Sequence, residues 1–271
     1  GFLFTRCGDF HHRPGQADTL HVDLWWRGQN IALDAGTYSY NAPDPWNNGL
    51  ASTSCHNTVT VDDQDQMERV GKFLWLPWLH GRVRHSQAFP IQRLAYWEGE
   101  QDGYMRLSAP VVYRRGMVQL PEDHWIVVDV LQSKALHAYR LHLLLADMPY
   151  VWGSNQLRMG TQEGPYLLQV LASKGGVGTI CRADVDSLRG WQAPFYNQRE
   201  PAIAVEFKVT EDAAWFVTGF GPGEWEMVRK GDVLHVNYCR RKIRIDLNFH
   251  ERDSGTLVTG VEMETTGGPC E

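Results

Sequence analysis

Residues 124–131, HWIVVDVL, and residues 139–146, YRLHLLLA, follow a hydrophobic period of two and are rich in Val, Leu and aromatic side chains. A period of two places alternate side chains on opposite faces of an extended backbone, so both segments predict β-strands. The turn residues LPEDH precede the first segment. How often this pattern recurs along the chain decides the fold class.

The same alternation recurs from one end of the chain to the other. Further examples are LHVDLWW (20–26), HNTVTVD (56–62), YLLQVLA (166–172), AIAVEFKV (202–209), AAWFVTGF (213–220) and KIRIDLNF (242–249). Strands at intervals of roughly 10 to 15 residues favour an all-β fold, a large antiparallel β-sandwich of stacked sheets with few or no long helices. The region 64–78 favours a short helical turn before Pro77.

The chain shows no internal repeat and no low-complexity linker, which predicts a single β-sandwich module over residues 1–271. Its first residues, GFLFTRCGDF, lack the basic start and long apolar core of a signal peptide. They are typical of a strand entered directly, and we expect the chain to be a piece of a longer protein.

Composition excludes several classes of protein. A formal net charge of −6 and a pI near 6.0 disfavour nucleic-acid binding. No apolar run reaches the roughly 18 residues of a membrane span. The five cysteines include no CxxC pair, so neither a zinc ribbon nor a small disulfide scaffold is expected. The 11 Trp residues suit a large β-core, and exposed ones would suit the apolar faces of sugar rings.

Chemistry-bearing residues concentrate in the segment from His11 to Asp62. Histidines, carboxylates and tyrosines lie there between short strands and Gly or Pro turns. Asp34 follows an apolar strand and precedes a glycine turn, which suits a metal ligand or an Asx-type turn. His56 opens the strand HNTVTVD, either as a ligand or as a strand-end histidine bonded to the backbone. The residues alone do not decide between these roles for Asp34 or for His56.

Two stretches in this segment resemble a known family. HRPGQADTLHVDLWWRGQNIALDAGTYSYN, followed by LASTSCHNTVTVD, is similar to the C-terminal β-sandwich domain of heparinase II/III-like polysaccharide lyases. LPEDHWIVVDV, HAYRLHLLLAD and RGWQAPFYNQREPAIAVEF extend the resemblance to about residue 250. The combination of G-x-A-D, LD-x-GTY and HNT carries most of its specificity.

The resemblance implies a bacterial enzyme in which a helical (α/α) toroid, absent from this chain, precedes the sandwich. Such enzymes cleave uronic-acid polysaccharides, including glycosaminoglycans, by β-elimination in a cleft between the two domains. A base removes the C5 proton and an acid protonates the leaving oxygen at C4. Neutralising the sugar carboxylate makes that proton more acidic, so a cationic or hydrogen-bonding group is expected in the site.

The family resemblance also implies a metal, usually zinc, bound by two histidines and an aspartate. The aspartate falls on Asp34 and the histidine of HNT on His56, but the first histidine falls on Gln16. An amide oxygen is a poor zinc ligand beside imidazole. Three alternatives therefore remain open: no metal, a hard cation on Gln16 and Asp34, or a site completed by His12 or His21.

Other site residues follow from the same resemblance. Tyr40 is the candidate catalytic tyrosine because it lies between the Asp and His positions; a rim or core tyrosine is the alternative. His12 is the candidate catalytic histidine. Gln16 is assigned to substrate binding, with Arg13 as a carboxylate contact and Trp46 as a sugar-ring contact. Surface or packing roles are the alternatives for Arg13 and Trp46. Pro14 stands where many relatives have a further histidine.

Three functions remain to be compared. The first is the C-terminal domain of a lyase acting on an acidic polysaccharide, incomplete as an enzyme without its toroid. The second is a non-catalytic glycan-binding or structural module, and the third is a metalloprotein that uses His12, Asp34 and His56. The resemblance implies a periplasmic or secreted protein, although no signal peptide is visible.

Overall fold

The computed structural model describes residues 1–250 and 255–265, and within these residues the chain is built from β-strands and four short 3-10 helices. The predicted all-β class is confirmed. The strands are β1 (Phe2–Thr5), β2 (Val22–Trp26), β3 (Gln29–Ala32), β4 (Val59–Val61), β5 (Glu68–Gly71), β6 (Leu74–Leu76), β7 (Gly81–Phe89), β8 (Leu94–Gln101), β9 (Val112–Leu120), β10 (His124–Leu145), β11 (Tyr150–Gly153), β12 (Gln156–Thr161), β13 (Gly164–Ala172), β14 (Gly178–Arg182), β15 (Trp191–Phe195), β16 (Gln198–Pro201), β17 (Ile203–Pro222), β18 (Trp225–Lys230), β19 (Val233–Tyr238), β20 (Arg241–Leu247) and β21 (Val258–Thr265). The 3-10 helices are Gly49–Ala51, Thr53–Cys55, Gly103–Arg106 and Ser173–Gly175.

Two very long strands organise the main sheet of 13 strands. β10 has 22 residues and β17 has 20, and they pair antiparallel from Trp125–Phe220 to Leu145–Ile203. The two alternating segments at 124–131 and 139–146 therefore belong to one strand. The register shifts once, between Gln132 and His137, where a β-bulge interrupts the ladder.

Different strands flank each half of the β10–β17 pair. The first half of β10 pairs with β9, and its second half pairs with β4 and β3. β17 pairs with β14 in its first half and with β13 in its second. The short strands that carry the His11–Asp62 segment are thereby attached to the second half of β10.

Both faces of the first half of β10 are buried. Trp125, Val127 and Leu131 belong to the larger core, whereas Ile126 and Val128 lie in a second core. The second core is formed against a separate sheet of four strands, β18 to β21. Burial on both faces explains why apolar side chains fill six of the nine positions from His124 to Gln132.

The helical turn expected before Pro77 is wrong. Residues 68–76 form the two-stranded sheet β5–β6, with Lys72 and Phe73 in the turn. Trp75 is completely buried and packs in a small cluster with Met67 and Leu79. Burial of the Trp75 side chain stabilises the hairpin. The prediction of a helical turn failed because an apolar run this short is compatible with either a strand or a helix.

Within the described residues, the structure contains no helix of the length and apolarity that crossing a membrane requires.

Candidate active site

The turn after β3 places Asp34 at the edge of the sandwich. Gly36 has φ +72° and lies so close to β15 that a Cβ atom there would be 2.2 Å from the Ala193 carbonyl oxygen. The Ala193 N–H in turn donates to the Ala35 carbonyl at 2.8 Å. Asp34 Oδ1 accepts the Gly36 N–H at 2.8 Å, as the turn interpretation expects, and Oδ2 remains available for another contact.

Asn57 fixes the HNT segment against the neighbouring strands. Its side-chain amide donates to the carbonyls of Val22 at 2.7 Å and Leu33 at 3.0 Å, and its Oδ1 accepts the Leu144 N–H. The buried guanidinium of Arg115 also donates to the Asn57 carbonyl. The preceding residue, His56, is consequently held in a rigid, fully buried position beside the Asp34 turn.

Arg6, directly after β1, joins three acceptor side chains. Its Nη1 donates to Gln16 Oε1 at 2.8 Å and to Asp18 Oδ2, and its Nη2 donates to Asp34 Oδ2 at 3.0 Å. The Arg6 side chain is 41% exposed, whereas that of Asp18 is 6% exposed. In this cluster of Arg6, Gln16, Asp18 and Asp34, the guanidinium is accessible to solvent and the Asp18 carboxylate is buried. The single positive charge of Arg6 faces the negative charges of two carboxylates.

Two buried histidines complete the site. His56 Nδ1 lies 2.8 Å from the Ser52 carbonyl, so Nδ1 carries the proton and Nε2 has a free lone pair. His56 Nε2 lies 3.9 Å from Asp34 Oδ1 and makes no hydrogen bond with the described residues. His21 has the opposite tautomer, because its Nδ1 accepts the Asn57 N–H at 3.0 Å.

Burial and local charges set the ionisation of this group. Burial lowers the pKa of His21 well below its ordinary value, and His56 lowers it further, so His21 is neutral at pH 7. Burial acts to raise the pKa of Asp34, but attraction to the protonated forms of His56 and His21, the Gly36 N–H bond and the Arg6 charge outweigh it and lower this pKa. Asp34 is therefore a carboxylate at neutral pH.

The accessible side of Arg6 opens into a cleft of about 620 Å³. Gln16, Asp18 and Tyr40 also line it, together with the aromatic side chains of Phe4, Phe10 and Phe73. The lining residues are Phe4, Thr5, Arg6, Cys7, Gly8, Phe10, Gly15, Gln16, Asp18, Thr19, Thr37, Tyr40, Asn48 and Phe73. A lining that combines polar groups and aromatic rings matches the polar edges and apolar faces of a sugar chain.

Tyr40 is held at the rim of this cleft by aromatic neighbours. Its ring lies 4.8 Å from that of Phe73 and 5.3 Å from that of Tyr196. The Tyr40 N–H donates to the Tyr196 hydroxyl at 3.1 Å. This hydrogen bond, another from the Ser39 side chain and the nearby Lys72 ammonium lower the pKa of Tyr196. Tyr40 itself is 37% exposed, so its side chain is accessible from the cleft.

The predicted site residues thus separate into two groups. Gln16 and Tyr40 line the cleft. Asp34 and His56 do not line it; Asp34 accepts a hydrogen bond from the cleft residue Arg6, and the buried His56 lies beside Asp34. His12 and Arg13 are exposed and do not line the cleft. Trp46 packs instead against Tyr38 and Trp191, and the guanidinium of Arg199 lies 4.0 Å above its ring.

Sequence reasoning missed Arg6, Asp18, Tyr196 and Lys72 as site residues. Asp18 was within the quoted G-x-A-D motif, which was available as a signal. Arg6 lies in a strand-like segment that has no motif, and Tyr196 reaches the site only through the β15–β16 turn, more than 150 positions along the chain. No pattern in the sequence indicates such a contact.

Asp18, Asp34 and His56 fit a divalent cation. Their ligand atoms all lie within 4.8 Å of one another, and the buried His56 Nε2 has a lone pair without a hydrogen-bond donor among the described residues. A backbone carbonyl on Nδ1 is the usual outer partner of a metal-binding histidine. Asp18, two positions beyond Gln16, thus offers a third ligand atom for such a cation, at a residue other than Gln16.

The chain is similar to several proteins named as lyases of heparin-type glycans. The chain is 25% identical over 215 residues to a heparin-sulfate lyase of Bacteroides stercoris, a match that covers 76% of this chain and 29% of the relative. A solved heparinase III structure superimposes with a TM-score of 0.71 at 18% identity, covering 87% of this chain and 37% of that one. The heparan sulfate lyase HepC from Pedobacter heparinus gives a TM-score of 0.68 at 17% identity, over 86% and 37% of the two chains.

The fold and the site define a β-sandwich domain of the polysaccharide lyase type. The sequence model described as "Heparinase II/III-like, C-terminal" matches residues 1–238, and the chain belongs to this family. It spans between 29% and 37% of the length of the relatives named above.

Proposed function

We propose that this domain forms one wall of the glycan cleft of a polysaccharide lyase that cleaves an acidic, uronic-acid-containing glycan. The observation that carries the proposal is the position of Tyr40, exposed on the same cleft as Arg6 and Gln16 and held between two aromatic rings. The relatives named as heparin and heparan sulfate lyases support the class of substrate. A helical toroid domain would supply the opposite wall.

The proposed reaction is β-elimination. A base takes the C5 proton, the C4–C5 bond becomes a double bond, and the C4–O4 bond breaks as an acid protonates the leaving oxygen. A tyrosine hydroxyl can serve in such proton transfers when it lies within hydrogen-bond reach of the sugar. Tyr40 is the proposed proton-transfer residue of this wall. His12 is exposed and lies outside the cleft lining, so a role for it in proton transfer requires that it reach the sugar from outside the cleft.

Lys72 is the proposed contact for an anionic group of the glycan. Arg6 already faces two carboxylates, so its charge is compensated within the protein. Lys72 is exposed beside Phe73, donates to Asn41 Oδ1 at 2.9 Å and has no carboxylate partner among the described residues. An ammonium group without an ion pair can bind a sugar carboxylate or sulfate without first breaking a salt bridge.

A divalent cation, where one is bound, is proposed to lie between Asp18, Asp34 and His56. It would supply positive charge next to the cleft and would fix the Asp34 turn. Both carboxylates and the imidazole are already oriented by the chain's own hydrogen bonds, as described above.

The proposal is tested with the full-length protein, in which the helical domain is present. Incubation with heparin, heparan sulfate and other uronate glycans is expected to produce the ultraviolet absorbance of unsaturated uronate. Tyr40→Phe should lower kcat by about 10²-fold or more, the usual effect of losing a general acid or base. Tyr150→Phe is the matched control, because Tyr150 is also 37% exposed but lies on β11, outside the cleft.

A second candidate function is a glycan-binding module without chemistry. Its support is the cleft lining, which contains no histidine among the described residues, although a histidine is expected at the position of Gln16. In that case the full-length protein would retard acidic glycans in affinity electrophoresis without cleaving them. Turnover by the wild-type protein that Tyr40→Phe removes would exclude the second function.

A further inference from the structure

We propose that the Arg6 guanidinium is the resident cation of the Asp18–Asp34 pair and that it competes with a divalent metal for this site. The proposal concerns binding at these side chains and does not depend on which glycan, if any, the domain binds. It rests on three observations: the acceptors that Arg6 uses, the position of the His56 lone pair and the difference in exposure between Arg6 and the carboxylates.

Arg6 occupies oxygen atoms that a metal would need. Its guanidinium bonds to Asp18 Oδ2 and Asp34 Oδ2 and also takes up the amide oxygen of Gln16. Gln16 is therefore the third acceptor of the guanidinium. A metal ion placed among these oxygens would lie beside a positive charge of the protein, and the repulsion between the two cations would weaken its binding.

His56 is the acceptor that Arg6 leaves unused. Its Nε2 is completely buried and faces Asp34 Oδ1 at 3.9 Å, and Arg6 makes no hydrogen bond to it in the described structure. A spherical cation that binds both carboxylates could use this lone pair. The donor set would then be one imidazole nitrogen and two carboxylates, which suits zinc and other divalent ions of the first transition row.

The exchange of one cation for the other needs movement of a single side chain. Asp34 is fixed by the Gly36 N–H, and His56 is fixed by the Ser52 carbonyl. Arg6 is the most exposed member of the group and borders the open cleft. When Arg6 turns into the cleft, its guanidinium becomes free for an anion there, while the metal neutralises the carboxylates.

Zinc titration of the whole chain, by calorimetry or with a competing chelator dye, tests the proposal. Arg6→Met should bind one equivalent of zinc at least about tenfold more tightly than the wild type, because a cation no longer competes for the carboxylates. Adding His56→Ala to Arg6→Met should reverse most of this gain. Arg27→Met is the matched control, since Arg27 pairs with Glu163 away from the cleft and its loss should leave zinc affinity unchanged.

Loss of Arg6 leaves the buried Asp18 without its partner and could prevent folding, so thermal unfolding is measured with and without zinc. Zinc that raises the Tm of Arg6→Met more than that of the wild type supports competition. If Arg6→Met does not fold in either condition, Arg6→Lys decides, because the shorter ammonium cannot span both carboxylates. Zinc affinity equal to or weaker than that of the wild type, in whichever of these variants folds, overturns the proposal.

Discussion

The hydroxyl of Tyr196 accepts the backbone N–H of Tyr40 at 3.1 Å, while the rings of the two tyrosines pack 5.3 Å apart. One residue of the β15–β16 turn thereby holds both the backbone and the side chain of the candidate proton-transfer residue. Tyr196 acts through Tyr40 in this arrangement, which makes it a positioning residue.

Tyr196→Phe should release Tyr40 without removing its hydroxyl. The Tyr40 amide loses its acceptor, so hydrogen exchange of the segment 36–48 should accelerate. In the full-length protein, assayed for the proposed lyase activity, we expect kcat to fall by about tenfold, the effect of roughly 1.4 kcal/mol, with a smaller change in KM. Phe195→Leu, which alters the neighbouring exposed ring at the end of β15, is the control. Unchanged exchange in Tyr196→Phe would contradict the positioning role.

Lys72→Gln should weaken binding of an anionic glycan and leave the chemistry intact. The ammonium has no carboxylate partner among the described residues, so its loss removes a substrate contact and little folding energy. We expect KM to rise by about threefold to tenfold, and the salt dependence of KM to become weaker. Lys134→Gln replaces an exposed lysine outside the cleft and should leave KM unchanged. Equal effects of the two substitutions would count against a specific contact.

His124 should make the stability of the domain depend on pH. Burial lowers the pKa of His124 to about 4, and its ring stacks on Tyr238 at 3.7 Å between the two sheets. The unfolded state, in which histidine titrates near pH 6.5, therefore takes up a proton before the folded state does. The stabilising contribution is present above about pH 6.5 and is lost as the pH falls towards 4.

Denaturant unfolding of wild type and His124→Asn measures this contribution. Between pH 7 and pH 5 the wild type should lose about 2 kcal/mol more of its free energy of unfolding than the variant loses. Between pH 7 and pH 8 the two proteins should show the same pH dependence, because His124 is neutral in both states. Parallel curves over the whole range would show that His124 is not the group responsible.

Arg115→Lys should destabilise the folded domain by weakening the buried hydrogen bonds that hold the segments around Leu20 and Asn57. The Arg115 guanidinium binds both oxygens of the buried Asp129 and donates to the carbonyls of Leu20 and Asn57. An ammonium cannot reproduce these bonds, and the free energy of unfolding should fall by about 3–5 kcal/mol. Arg82→Lys alters an exposed pair with Glu100 and should cost less than about 1 kcal/mol. Similar losses in the two variants would contradict this account.

The all-β fold could be predicted because burial leaves a period of two in each strand. The continuity of β10 could not. Lys134 and Leu136 are exposed at the bulge, so the alternation is broken between residues 132 and 137 and the sequence suggested two strands. The β5–β6 hairpin was missed for a related reason: its apolar run is short and its partner strand is partly exposed.

The candidate site was predictable where neighbouring residues in the sequence carry it. The sequence left two roles open for Asp34 and for His56: a ligand, or a side chain bonded to the backbone. In the structure, one atom of each side chain makes a hydrogen bond with the backbone and another atom faces the other residue of the pair. The contacts of Arg6 and Tyr196 depend on the pairing of distant strands. Only the folded chain shows that β1 and the β15–β16 turn meet at one cleft.

The long pair of β10 and β17 has a consequence for dividing the chain. A break in the loop between β14 and β15 would leave β10 on one fragment and β17 on the other. The residues that pair across the two fragments are Trp125 to Leu145 of β10 and Ile203 to Phe220 of β17. Neither fragment could bury its half of the larger core alone. Expressed together, the two pieces should reassemble through this shared edge, whereas each piece expressed alone should stay unfolded.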